Sequence, residues 1–143
     1  MAIESEPIHL HYEVPGNDFT RAGEASADLK ARLKALGFPP TAVRRVAIAL
    51  YEGEINLAIH AKGGSIDVVI DDEKVHMVLS DKGPGIADIS LAMSEGFSTA
   101  PDEVRSLGFG AGMGLPNIKK YSDQFDIQST LGVGTTVTME VNC

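Results

Sequence analysis

Glu52, Asn56 and His60 fall at successive four-residue steps, a spacing that brings three polar side chains to roughly one side of a helix. An ionised Glu52 can take a proton from an attacking hydroxyl or water. Asn56 offers a neutral oxygen to a hard cation such as Mg²⁺, which keeps several waters and is commonly shared with substrate phosphates. A solvated helix face, with Glu54 as one more exposed charge, accounts for the same residues. A capping or surface role stays open for His60.

A second group follows a strand-like run. Asp81 ends Val75-His76-Met77-Val78-Leu79-Ser80 and leads into Lys82-Gly83-Pro84-Gly85. A carboxylate held there can accept a hydrogen bond from an exocyclic amine such as that of adenine, and Gly83 and Gly85 let the backbone pass beneath a flat base. An ordinary strand-ending turn would look the same. The third group is Gly108-Phe109-Gly110-Ala111-Gly112-Met113-Gly114-Leu115, followed by Pro116-Asn117-Ile118-Lys119-Lys120. Glycines at every second position make a poor strand, but they suit a loop whose backbone N–H groups approach an anion ahead of a helix N-terminus. Thr135, near the end, could bring a hydroxyl to the same place, or simply fill a sheet.

These groups need elements to carry them. Apolar residues alternate with His9, His11 and Glu13 from Ile8 to Val14, the pattern of a half-buried edge strand. Asn17 or Asp18 is expected to cap a helix reaching Leu36, with Leu29, Leu33 and Leu36 on one side and Gly37 as its stop. Thr41 is expected to cap a longer helix to about Ala61, with Val43, Val46, Ala47, Leu50 and Leu57 as its apolar face. Strands are expected over 65–70 and 74–80, joined by a tight turn at Asp71-Asp72-Glu73, then a short helix near 89–94. Residues 95–107 read as a long loop of the kind that forms lids. A helix to about Asp123 and strands over 125–131 and 135–142 complete the chain.

The whole sequence has 143 residues, 43% hydrophobic and 22% charged, with a formal charge of −8. That is the length of one domain able to bury a core of its own. The acid excess argues against a nonspecific grip on nucleic acid or anionic lipid. No apolar run approaches the roughly 18 residues of a membrane span, and the acidic N-terminus has no export-signal character, so a cytoplasmic protein is expected. Cys143, the lone cysteine, reads as an exposed tail residue.

The order Glu-x-x-x-Asn, Asp-x-Gly-x-Gly, lid, Gly-x-Gly-x-Gly, Gly-Thr resembles the ATP-binding domain shared by gyrase, Hsp90, histidine kinases and MutL, the GHKL superfamily. The resemblance spans essentially the whole chain, 1–143, and nothing here matches a Walker-type loop. Gly96-Phe97-Ser98-Thr99, Gly112-Met113-Gly114-Leu115-Pro116 and Gly132-Val133-Gly134-Thr135-Thr136-Val137 look like the C-terminal half of the small bacterial anti-sigma-factor and stress-switch serine/threonine kinases. Segment 100–106 lengthens the lid relative to the shortest of these, and Phe109 stands between two glycines.

The resemblance implies an α+β, two-layer sandwich of the Bergerat type, with a mixed, mostly antiparallel sheet covered on one face by helices. It implies ATP and Mg²⁺ as cofactors, Glu52 as general base and Asn56 as metal ligand. Asp81, Gly83 and Gly85 would hold the base, with Thr135 on the adenine side. Gly108, Gly110, Ala111, Gly112, Met113, Gly114 and Leu115 would hold the phosphates, and His60 is counted with the nucleotide-binding set. The implied activity is phosphorylation of a small antagonist protein in transcriptional or stress regulation, with a sigma factor or other regulator as a further partner and a homodimer as a possible assembly. Two other functions fit the same motifs: a non-catalytic, ATP-gated binding module, and a detached histidine-kinase catalytic domain working in trans.

Overall fold

The computed structural model describes residues 6–16, 23–59, 63–83 and 114–143. In chain order these form β1 (Ile8–Pro15), α1 (Glu24–Ala35), α2 (Pro40–Ile59), β2 (Gly63–Ile70), β3 (Lys74–Ser80), α3 (Gly114–Tyr121), β4 (Gln124–Thr130) and β5 (Gly134–Asn142). The expected cap at Asn17 or Asp18, the short helix at 89–94, the lid at 95–107 and the glycine loop up to Met113 lie outside the described residues.

The strands make one sheet in the order β1-β2-β3-β5-β4, and all four pairings are antiparallel. This is the layered α+β architecture with a largely antiparallel sheet that the sequence led us to expect. The edge position expected for β1 also holds, with β4 at the other edge. Register follows from the period-two pattern, because a slip of one residue would turn every apolar side chain to the wrong face. Ile66 pairs with Leu79, Met77 with Met139 and Val75 with Val141, all on the face that the helices cover. The opposite face is polar and carries cross-strand pairs: His11 Nδ1 lies 2.7 Å from Asp67 Oδ1, and His76 Nδ1 lies 2.8 Å from Glu140 Oε2. At the β2–β3 turn, Asp71 Oδ1 accepts the N–H groups of Glu73 and Lys74, each at 2.8 Å.

Helix α2 is the centre of the covering layer. Val43, Val46, Ala49, Leu50, Leu57 and Ala58 are buried along it, with Leu29 and Leu33 of α1 and Ile118 of α3 in the same core. Gly53 lies in its interior, a position that costs a helix about 1 kcal/mol relative to alanine. The reason is packing: a Cβ there would collide with Leu79 Cδ2 and lie 3.5 Å from Met139 Cε. The glycine lets α2 settle onto β3 and β5.

Four expectations need correction. The N-cap of α1 is Gly23, ahead of Glu24, rather than Asn17 or Asp18, and Thr41 lies within α2, which begins at Pro40, rather than capping it. Leu36 does not join Leu29 and Leu33, because α1 ends at Ala35 and the side chain at the C-cap is half exposed. Glu54 is not an exposed charge but is only 2% exposed. Its Oε2 accepts the N–H groups of Gly23 (2.9 Å) and Ala25 (3.1 Å), and its Oε1 that of Ser26 (3.0 Å). Gly23, the N-cap of α1, has no side chain to offer, so α2 supplies the cap from across the core.

Candidate nucleotide site

Glu52 and Asn56 are both half-buried, one turn apart on α2. Burial pushes the Glu52 carboxyl above its ordinary value, and a hydrogen bond from the Asn117 side chain opposes that rise. Asn117 comes from the first turns of α3, the helix that follows the glycine loop, and Ile118 beside it is fully buried in the shared core. The α2–α3 contact therefore brings the Glu-x-x-x-Asn helix to the end of the glycine-rich segment. Asn56 carries a neutral amide oxygen, a ligand type that suits a hard cation.

Asp81 leaves β3 beside the C-terminal half of α2. Gly64 sits between them, where a Cβ would be 2.9 Å from Leu57 Cδ2 and 3.3 Å from Asp81 Cβ. The Asp81 N–H donates to the Thr135 carbonyl at 3.0 Å, and Asp81 Oδ1 accepts the N–H groups of Gly83 (2.8 Å) and Thr135 (3.2 Å). These bonds fix the carboxylate, and among the described residues none falls on Oδ2. Gly134, at φ +147°, makes the approach possible, since a Cβ there would run into the Asp81 carbonyl. The Thr135 hydroxyl lies 2.8 Å from that of Ser129 on β4.

Among the expected site residues, the structure gathers Asp81, Gly83 and Thr135 at one end of the sheet. Glu52 and Asn56 lie on the helix above, with Gly114 and Leu115 opening α3 against it. His60, Gly85, Gly108, Gly110, Ala111, Gly112 and Met113 lie outside the described residues. Asn117 and Ser129 are neighbours that the sequence reading did not assign. Asn117 stands four residues into the helix after the glycine loop, the one local signal that could have marked it. A buried acceptor such as Glu54 leaves no trace in spacing.

Among the described residues, no helix is long and apolar enough to cross a membrane. Residues 41–143 match the family described as histidine kinase-, DNA gyrase B- and HSP90-like ATPase. The chain is 35% identical over 108 residues to the serine/threonine-protein kinase RsbT of Bacillus subtilis (strain 168), covering 73% of this chain and 75% of that protein. It is 37% identical over 139 residues to the anti-sigma F factor of Geobacillus kaustophilus (strain HTA426), covering 93% and 90%. A solved structure of the RsbU and RsbW domains of Rv1364c from Mycobacterium tuberculosis has the same fold, with a TM-score of 0.62 at 16% identity over 97% of this chain and 33% of that one. The chain therefore belongs to the histidine kinase-, DNA gyrase B- and HSP90-like ATPase family of ATP-binding domains, with serine/threonine switch kinases and anti-sigma factors among its relatives.

Proposed function

We propose that this protein is an ATP- and Mg²⁺-dependent serine/threonine kinase of the switch type, which phosphorylates a small antagonist protein in the control of transcription or stress signalling. The observation that carries the proposal is Glu52, a half-buried carboxylate held where α2 meets the helix after the glycine loop. A carboxyl raised by burial has a conjugate base stronger than that of a solvated glutamate, which suits a general base.

In the proposed reaction, Asp81 Oδ2 accepts the exocyclic amine of adenine while Oδ1 stays bound to Gly83 and Thr135. Gly83 and Gly85 pass beneath the base, with Thr135 on its adenine side and His60 in the nucleotide-binding set. The backbone N–H groups of Gly108 to Leu115 and the N-terminus of α3 hold the phosphates. Asn56 would hold, through its carbonyl oxygen, a Mg²⁺ ion arriving with the nucleotide, and that ion would supply neutralisation of phosphate charge. The substrate hydroxyl oxygen bonds to the γ-phosphorus as the bond to the β-phosphate oxygen breaks, ADP leaves, and the hydroxyl proton passes to Glu52. Positioning and charge neutralisation carry most of such a transfer.

Relatives named as anti-sigma factors support a second property of the same chain, binding of a sigma factor or similar regulator, with a homodimer as the working assembly. A cytoplasmic location goes with such partners. The test is incubation with γ-labelled ATP and Mg²⁺ beside the small proteins encoded next to it. Label should move to a neighbour with the wild type and not with Glu52→Gln, while the variant still binds ATP. Transfer by Glu52→Gln at the wild-type rate would remove Glu52 from its role. Partner binding that needs ATP, without transfer by either protein, would leave the regulatory binding module.

A further inference from the structure

We infer that Ser129 is a specificity-determining residue of the nucleotide site, orienting the Thr135 hydroxyl so that it meets the base as an acceptor and favours an amino group over a carbonyl; the inference rests on the adenine site proposed above. The period of two along the strands puts the residues concerned on the face that the helices cover. Asp81 continues the line of Met77 and Leu79 from β3, and Thr135 shares its side of β5 with Met139 and Val141. Ser129 of β4 stands directly opposite Thr135, in line with Phe125, which packs against the core. Asp81 and Thr135 hold each other twice, through the Asp81 N–H to the Thr135 carbonyl at 3.0 Å and the Thr135 N–H to Asp81 Oδ1 at 3.2 Å. The backbone that carries the Thr135 hydroxyl is thereby tied to the residue that carries the carboxylate. What remains to be set is the direction of the hydroxyl proton.

Ser129 sets that direction. Its Oγ lies 2.8 Å from Thr135 Oγ1 and 3.3 Å from the Gly134 carbonyl oxygen. A carbonyl oxygen only accepts, so the contact with Gly134 calls for the Ser129 proton, and the shorter contact then takes its proton from Thr135. With its single proton turned to Ser129, the Thr135 hydroxyl presents lone pairs to the base, beside the acceptor that Asp81 supplies. An exocyclic amino group has two protons to give these acceptors, whereas a carbonyl oxygen in the same place brings lone pairs against lone pairs. A site built to bond one kind of group rejects a ligand that leaves its polar atoms unpaired, so the Ser129–Thr135 pair sharpens the choice that Asp81 begins. The opposite arrangement, with Ser129 donating to Thr135, would leave two acceptor oxygens 3.3 Å apart at Gly134 and release the Thr135 proton toward a carbonyl. A cross-strand bond between hydroxyls also steadies a sheet. The two roles differ in what they do to the choice of base.

Calorimetry on the whole protein with Mg²⁺ and either ATP or inosine triphosphate (ITP) reads that choice. ITP carries a carbonyl oxygen where ATP carries the amino group, and a proton on the ring nitrogen beside it. Wild type should prefer ATP. Ser129→Ala lets the Thr135 hydroxyl turn its proton toward either ligand, so the ATP-to-ITP affinity ratio should fall by roughly three- to tenfold, the contribution of one neutral hydrogen bond. Ser129→Thr keeps a hydroxyl on a residue that strands accept well, and should restore the ratio. Thr135→Val removes the oriented hydroxyl itself and should lower the ratio at least as far. Adding Ser129→Ala to Thr135→Val should then change nothing more, since the serine acts through the threonine. A purely structural serine would weaken both ligands alike and leave their ratio where it was. A ratio unchanged by Ser129→Ala, or lowered just as much when Thr135 is already valine, would overturn the inference; if Asp81→Asn still weakens ATP binding in that case, the adenine site itself stands. A wild type that binds no ATP would overturn both.

Discussion

Replacing Glu54 with alanine removes one carboxylate and strands three backbone donors. The Ala25 and Ser26 N–H groups are buried first-turn donors of α1, and Gly23 contributes the N–H of the N-cap itself. A single side chain on α2 thus performs both halves of a capping box, which normally needs two side chains of the capped helix. Loss of an N-cap costs about 1 kcal/mol, and each buried donor left unpaired about 1–3 kcal/mol. The half-buried Gly23 N–H can turn to water, so the two buried donors, whose bonds are the cap itself, set the total for Glu54→Ala at roughly 2–6 kcal/mol. That is a large part of the ~5–15 kcal/mol that holds a domain together. With a urea m-value of about 2 kcal/mol/M, the unfolding midpoint should fall by roughly 2 M, as read by far-ultraviolet circular dichroism. Amide hydrogen exchange at Ala25 and Ser26 should accelerate before that of the sheet. Glu54→Gln keeps one acceptor but turns an NH₂ group toward the remaining donors, so it should lie between the two. A midpoint for Glu54→Ala within about 0.3 M of wild type would mean that α1 does not depend on this cap, and the reasoning would be refuted.

Asp81→Asn should leave the fold intact, because an amide oxygen can still accept from Gly83 and Thr135, but it puts a donor where the carboxylate Oδ2 stood. ATP affinity, measured by calorimetry, should drop by roughly tenfold to a hundredfold, and an unchanged affinity would remove Asp81 from the adenine site. Acid should destabilise the fold through several carboxylates at once. The Asn142 N–H and then Arg45 hold Asp123 below its ordinary value of 3.8, the N–H groups of Glu73 and Lys74 do the same for Asp71, and Tyr12 and Arg32 for Asp28. A depressed carboxyl contributes stability that is present above its unfolded-state value and is lost as pH falls through its folded-state value. Stability should therefore decline as pH falls below about 4, and Asp123→Asn should flatten that decline in urea titrations run at successive pH values.

Much of this was readable without coordinates because the signals are local. The alternation in β1 and β3, the turn at Asp71 and the stop at Gly37 depend on neighbours a few residues away, and their elements form close to where the pattern puts them. Asp81 was recognisable for the same reason, since a strand, a carboxylate and a glycine turn are contiguous. What could not be read was supplied from a distance. The start of α1 at Glu24 is fixed by Glu54, some thirty residues later, whereas the capping residues nearest in sequence, Asn17 and Asp18, lie ahead of the Gly23 N-cap. The contact of Asn117 with Glu52 joins two helices far apart in sequence, and the Ser129 hydroxyl reaches Thr135 only through the β4–β5 register. Gly53, which looks like a weakness in a helix, has its reason in Leu79 of β3.

The most direct measurement of the central claim is the identity of the residue that receives the γ-phosphate. After a single turnover of labelled ATP in the presence of a cognate partner, the phosphorylated protein can be mapped by mass spectrometry and the bond tested in acid. The expected product is an acid-stable phosphoserine or phosphothreonine on the partner, formed by the wild type and not by Glu52→Gln. An acid-labile phosphohistidine, or a phosphoserine that forms equally well without the Glu52 carboxylate, would contradict it.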